Sequence, residues 1–230
     1  YQMTAQVNIV YPGGQAQAPH RDYHLGFRDE DVLASYPPHA HAMSSQLTLQ
    51  GAVAHTDMPV ESGPTLILPF SQQYEAGYLA WRHAEFKDYF AAHAVQLPLK
   101  QGDLLFFNPA LFHAAGSNRT KDFDRIANLL QVSSAFGRSM EVVDRYLLVE
   151  TIYPALLASQ QNMSAEELAA ILGSACEGYA FPTCLDADPP LNGMSPETQK
   201  QLTQRALQEG WSPEVFGAAL EAHRQRRIYP

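Results

Sequence analysis

Between residues 4 and 133 the apolar residues arrive in short runs rather than long amphipathic stretches. "TAQVNIVY" (4–11) partly alternates polar and apolar, and "QLTLQGAVAH" (46–55), "PTLILP" (64–69), "GDLLFF" (102–107) and "RIANLLQVS" (125–133) follow it along the chain. Runs this short, set off by Gly, Pro or Asn, read as β-strands. Their uneven spacing favours a sandwich or barrel over a doubly wound α/β sheet. No strand leads into a glycine-rich phosphate loop, which removes the nucleotide-binding folds. Between the strands, "YEAGYLAWRHAEFKDYFAAH" (74–93) reads as a helical or looped insertion.

After about residue 138 the strand texture stops. "SMEVVDRYLLVETIYPALLASQQ" is helical in spacing until Pro154, where a helix is expected to end. Ser164 and Glu167 have the spacing of a capping box. Ser195-Pro196 and Ser212-Pro213 each resemble a cap followed by proline at the first helical position. The expected organisation is a β core over residues 1–138 and a helical extension over 139–230 packing on it, with "FPTCLDADPPLNG" (181–193) as an irregular connector.

With 230 residues, 46% of them hydrophobic and 17% charged, the chain can bury one sizeable core with an appendage. A formal charge of −9 with no Lys/Arg run argues against a nucleic-acid partner. No apolar run approaches the roughly 18 residues of a membrane span, and the N-terminus has neither a basic leader nor an apolar signal core. A cytoplasmic protein with no membrane partner is expected. The first residue is Tyr1 rather than Met, in mid-pattern, so further residues upstream are expected as well. Cys176 and Cys184 are expected to be reduced thiols, and no CxxC metal motif is present.

The nine histidines divide by their neighbours. His83, His93 and His223 sit in helical stretches beside charges and read as surface or hydrogen-bonded residues. "QAPHRDYH" (17–24) is different, because an extended chain turns His20, Asp22 and His24 to one side and Arg21 to the other. Two imidazoles and a carboxylate on one face of an octahedral metal form the facial triad of non-haem Fe(II) oxygenases, so His20 and Asp22 would need one more histidine. Rival arms exist. His55 and Asp57 repeat the HxD spacing but end a strand, and His39 and His41 have cupin-like spacing but are followed by Ser44 and Ser45 where a carboxylate is needed.

"GDLLFFNPALFHAAGSN" delivers His113 directly after an apolar run, where it can reach the interior. Twelve residues later Arg125 opens the last strand. An arginine aimed into an apolar scaffold needs an anion, and its planar fork fits a carboxylate. The alternative is an exposed Arg125 paired with Asp122 or Asp124.

Taken together, "QAPHRDYH", "ESGPTLILPFSQ" and "GDLLFFNPALFHAAGSNRTKDFDRIAN" resemble the phytanoyl-CoA dioxygenase family of Fe(II)/2-oxoglutarate-dependent oxygenases, over about residues 4–135. The resemblance implies a mainly β fold with added helices: a double-stranded β-helix, the cupin-like jelly roll, with a C-terminal helical extension. It implies that His20, Asp22 and His113 bind Fe(II), that Arg125 binds the distal carboxylate of 2-oxoglutarate, and that Gln6 faces the same cofactor. His24 would then be placed to touch substrate. Where family members read like "NGPL…PGSH", this chain has "SGPT" and "PFSQ", a departure in the substrate-facing loops rather than at the metal.

The expected activity is oxidation of a small molecule, with dioxygen as cosubstrate and succinate and CO2 as coproducts. Related halogenases replace the carboxylate ligand by a small residue; Asp22 therefore favours hydroxylation, or another oxidation such as desaturation, over halogenation. The alternatives are a non-catalytic jelly-roll binding module and a cupin-like metal isomerase or hydrolase. The helices from about residue 139 lie outside the resemblance, and are expected either to cap the site or to join two copies into a homodimer.

Overall fold

A computed structural model of the chain describes residues 2–22, 29–74, 77, 82–134, 136–137, 141–191 and 193–228. The chain divides into two compact units, Tyr1–Glu141 and Val142–Pro230, so the boundary falls three residues beyond the expected one.

The first unit is built on two antiparallel sheets. Strands β1 (Gln2–Val10), β2 (Thr48–Ala54), β5 (Leu104–Phe107) and β7 (Arg125–Ser133) form a four-stranded sheet in the order β1-β7-β2-β5. Strands β3 (Leu66–Ile67), β4 (Val95–Gln96) and β6 (His113–Ala114) form a smaller sheet in the order β4-β3-β6. First and last strands lie side by side, with Val10 opposite Arg125 and Gln2 opposite Ser133. The chain passes from the larger sheet (β1, β2) to the smaller (β3, β4) and back, with β5 and β7 in the larger and β6 between them in the smaller. One cavity of about 410 Å³ is lined from both sheets, by Asn8, Gln50, Arg125 and Gln131 on one side and Thr65 and His113 on the other.

Pleating sorts the side chains of the small sheet. Leu66, Leu68, Phe112 and Ala114 bury with Phe86 and Phe90 of helix α3 (Ala84–His93), forming a core on the side away from the cavity. Period-2 alternation therefore turns His113, between Phe112 and Ala114, toward the cavity. The motif "HAH" lies on helix α2 (Pro38–Ser44), where residues two apart diverge, so His39 and His41 do not form a strand-like pair. Helix α1 (Glu30–Ala34) precedes it.

The second unit is helical: α4 (Arg145–Ser159), α5 (Ala165–Ala175), α6 (Gln199–Glu209) and α7 (Pro213–Gln225). They enclose a core that includes Val149, Tyr153, Leu172, Leu202 and Phe216. Two helix boundaries differ from the sequence reading. Helix α4 runs through Pro154 instead of ending there. Proline costs the helix one hydrogen bond, but Val149, Tyr153 and Leu156 are buried on both sides of it, and their packing holds the helix together. Helix α6 starts at Gln199 rather than after Ser195, because Thr198 and Gln201 make the reciprocal capping box that Ser195-Pro196 lacks. The box at Ser164 and the cap at Ser212 stand where their motifs placed them. Cys176 and Cys184 are free thiols. No described helix is long and apolar enough to cross a membrane.

Candidate metal centre

His20 and His113 are far apart in sequence and lie directly opposite one another. Each backbone N–H donates to the other residue's carbonyl at 3.0 Å, an isolated antiparallel bridge that places the two rings side by side, centroids 4.6 Å apart. Asp22 follows His20 at the strand period, anchored by its N–H to the Pro109 carbonyl at 3.2 Å. One ligand atom from each of His20, Asp22 and His113 falls within 4.8 Å of the others.

Hydrogen bonds set what those ligand atoms present. Nδ1 of His20 lies 2.8 Å from the Ala18 carbonyl, and Nδ1 of His113 lies 2.8 Å from the Leu111 carbonyl. A carbonyl can only accept, so on each neutral ring the hydrogen sits on Nδ1 and Nε2 keeps its lone pair. Those two Nε2 atoms face the Asp22 carboxylate at 3.9 and 3.7 Å, too far for a hydrogen bond. Burial, aided by the neighbouring His20, pushes the His113 pKa down to about 4, so its ring is neutral at ordinary pH. Burial raises the Asp22 pKa, with His20 opposing. Three electron-pair donors thus converge with no proton shared among them, an arrangement that a divalent cation stabilises. The donor set, two imidazoles and one carboxylate, fits iron.

The rest of the cavity is polar at two separate places. At one, Arg125 is 5% exposed, and burial lowers its pKa from the ordinary value. One guanidinium nitrogen donates to the Gly63 carbonyl and another to Asn8 Oδ1 at 3.0 Å. No carboxylate among the described residues pairs with it, and Nε has no partner, so Asp122 and Asp124 do not neutralise it. A buried, protonated fork of this kind is suited to an anionic carboxylate. Gly63 is needed to build it: with φ of +77° and the Gly116 backbone standing where a Cβ would have to go, a side chain there would be strained and would collide. At the other place, the Gln50 amide donates to Asp22 Oδ2.

Arg21 points away from the cavity, as the strand alternation requires. It is 1% exposed, donates to the carbonyls of Ser71 and Tyr74, and lies 4.8 Å from the Phe112 ring centroid. Ser71 Oγ in turn accepts from the Phe112 N–H at 2.8 Å. The backs of both ligand-bearing segments are therefore tied to residues 71–74.

Of the residues singled out from sequence, His20, Asp22, His113 and Arg125 share this cavity. Gln6 does not line it; it is exposed, opposite Leu129, and Asn8, one strand period further along, is the β1 residue that reaches Arg125. His24 lies outside the described residues. His55 and Asp57 take no part, and Asp57 is an exposed partner of Lys100 at 3.2 Å. The sequence reading missed Asn8, Gln50 and Gly63. A lone glutamine inside the apolar run "LTLQGAVA" was the available signal for Gln50.

No curated protein matches the chain. Among solved structures, EctD from S. alaskensis, crystallised with 2-oxoglutarate and 5-hydroxyectoine, is 19% identical, over 60% of this chain and 45% of its own, with a TM-score of 0.41. AviO1 from Streptomyces viridochromogenes Tue57 is 17% identical, over 60% of this chain and 53% of its own, with a TM-score of 0.40. The non-heme alpha ketoglutarate dependent carbocyclase SnoK from nogalamycin biosynthesis is 19% identical, over 77% of this chain and 59% of its own, with a TM-score of 0.41. The chain spans about half the length of these structures. The model of the phytanoyl-CoA dioxygenase (PhyH) family matches residues 1–127, more than half of the chain, and the protein belongs to that family.

Proposed function

We propose that the protein is an Fe(II)/2-oxoglutarate-dependent dioxygenase acting on a small molecule. His20, Asp22 and His113 would hold the iron, and Arg125, steadied by Asn8 and the Gly63 carbonyl, would take the distal carboxylate of 2-oxoglutarate. The observation that carries this reading is the pairing of two unlike sites in one cavity. A donor set for a divalent cation faces the same space as a buried arginine with no acidic partner among the described residues.

Bound there, iron with 2-oxoglutarate and dioxygen supplies oxidation of an unreactive C–H bond, with succinate and CO2 as coproducts. The chain supplies the rest. The Nδ1 hydrogen bonds of His20 and His113 hold both rings with Nε2 inward, and the Gln50 amide fixes one oxygen of Asp22. The carboxylate at position 22 leaves no ligand place for a halide, so hydroxylation or another oxidation such as desaturation is the proposed outcome. Membership of the family does not make phytanoyl-CoA the substrate, because one fold and metal site serve many substrates.

The test is anaerobic addition of Fe(II) and 2-oxoglutarate. A weak visible charge-transfer band, followed by release of succinate when air is admitted, is the expected result. A zinc-dependent hydrolase or a non-catalytic module gives neither, and that result would overturn the proposal. A cytoplasmic setting accords with the free thiols of Cys176 and Cys184 and with ferrous iron. A homodimer joined through the helices of residues 142–230 is a separate proposal, tested by sedimentation of the full chain; a monomer at all concentrations ends it.

A further inference from the structure

The cavity carries two side-chain carbonyl oxygens, on Gln50 and Gln131, that the roles assigned to the triad and to Arg125 leave unused. Gln50 on β2 and Gln131 on β7 are directly opposite each other in the sheet register, and both line the cavity beside the triad. Phe107 stands next to Gln50 on β5, and Thr4 stands next to Gln131 on β1. The Oε1 atoms of both glutamines are buried and accept no hydrogen bond from any described residue. The orientation of Gln50 is set, because only its NH2 can donate to the Asp22 carboxylate. Its Oε1 is therefore an acceptor held beside the metal-facing carboxylate.

Two buried acceptors without donors lower stability, and in a cavity wall such groups belong to a ligand that supplies the donors. That ligand is not the one Arg125 takes. Gln131 and Arg125 are six residues apart on one strand, or about 20 Å at the rise of an extended chain. Carbonyl oxygens also repel an anion. An alkyl chain would leave both acceptors unpaired, whereas a hydroxyl or an amine satisfies them and a site built this way rejects the analogue lacking the donor.

We infer that the Gln50–Gln131 pair is a recognition subsite for a hydrogen-bond-donating group of the substrate, a hydroxyl or an amine, so that the substrate is a polar small molecule and not an acyl chain. The inference rests on the oxygenase reading only for the word substrate; the subsite itself is a property of the cavity.

The experiment uses the full chain, metal-free and loaded with Ni(II) and 2-oxoglutarate, and three probes: methyl α-D-glucoside, 1,4-diaminobutane and decanoate. Binding is followed by ligand-observed NMR, and stability by thermal unfolding. The hydroxyl or the amine probe is expected to bind and decanoate to fail. Gln131→Leu is expected to weaken the bound probe about tenfold or more while raising the Tm of the metal-free protein by about 2–4 °C. A merely structural glutamine would lower Tm instead. Gln131→Glu keeps an acceptor and separates the two donors, because it tightens the amine and not the hydroxyl. Preference for decanoate, binding of none of the probes, affinity unchanged in Gln131→Leu, or a fall in its Tm overturns the inference. Absence of 2-oxoglutarate binding with probe selectivity intact would remove the oxygenase reading and leave the subsite standing; the reverse pattern removes the subsite alone.

Discussion

His113 in the β unit and His223 in the helical unit are both nearly inaccessible, and burial lowers the pKa of each. Their ring nitrogens are used differently. His223 has Nδ1 3.0 Å from the Tyr146 hydroxyl and Nε2 2.9 Å from the Glu197 carbonyl, with the Arg227 guanidinium against the same ring. His113 has one nitrogen tied to Leu111, and the other faces Asp22 at a distance no hydrogen bond spans. Burial alone therefore does not mark a functional histidine. What separates the two is whether the fold completes the ring's hydrogen bonds or leaves one lone pair aimed at other donors.

The sharpest way to break this contrast is Asp22→Ala. Removing the carboxylate toward which both Nε2 atoms point is expected to abolish 2-oxoglutarate turnover, read as succinate release; full activity would sink the metal assignment. Arg125→Ala comes next. Leaving a buried carboxylate without its partner is expected to raise the KM for 2-oxoglutarate by an amount on the order of 2–5 kcal/mol, or roughly thirtyfold to a few thousandfold. An unchanged KM would return Arg125 to a packing role.

His223 sharpens the other side of the contrast through pH. Its folded pKa lies below the ordinary 6.5, chiefly through burial, opposed by the Glu197 carbonyl and Asp188 and reinforced by Arg226 and Arg227. Below 6.5 the unfolded chain takes up a proton that the folded chain refuses, so stability is lost as pH falls from 6.5 toward the folded value. Thermal unfolding across that window should show a shallower acid slope in His223→Gln than in the parent; equal slopes would contradict the assignment. The smallest effect is expected from Asp57→Ala. That residue shares the HxD spacing but is exposed and paired with Lys100, and succinate release should stay close to the parent's.

Much of the β unit was legible because period-2 alternation is local. The same two-residue spacing that aligns His20 with Asp22 sends Arg21 behind the sheet, and the run "ALFHA" buries Phe112 and Ala114 while turning His113 the other way. Gln6 against Asn8 shows where that stops. Both lie on one face of β1, and only the register, with Val10 opposite Arg125, decides which of them the guanidinium reaches. Pro154 shows the same limit for helices. Its local effect is to break a hydrogen bond, yet burial of Val149 and Tyr153 outweighs that loss. For Thr198, the reciprocal bond with Gln201 decided a helix start that Ser195-Pro196 imitated.

The amino-acid sequence by itself determined the element types, the division into a β unit and a helical unit, and the identity of the metal-binding candidates. These follow from side-chain periodicity, capping chemistry and ligand type, which act over a few residues. Tertiary structure decided which candidates meet. His20 reaches His113 through one antiparallel bridge across the chain, Arg125 finds Asn8 and Gly63 from three separate segments, and Gln50 comes to face Gln131 through strand register. Such meetings depend on how sheets pair and close, and nothing in the local sequence around any one of these residues carries that information.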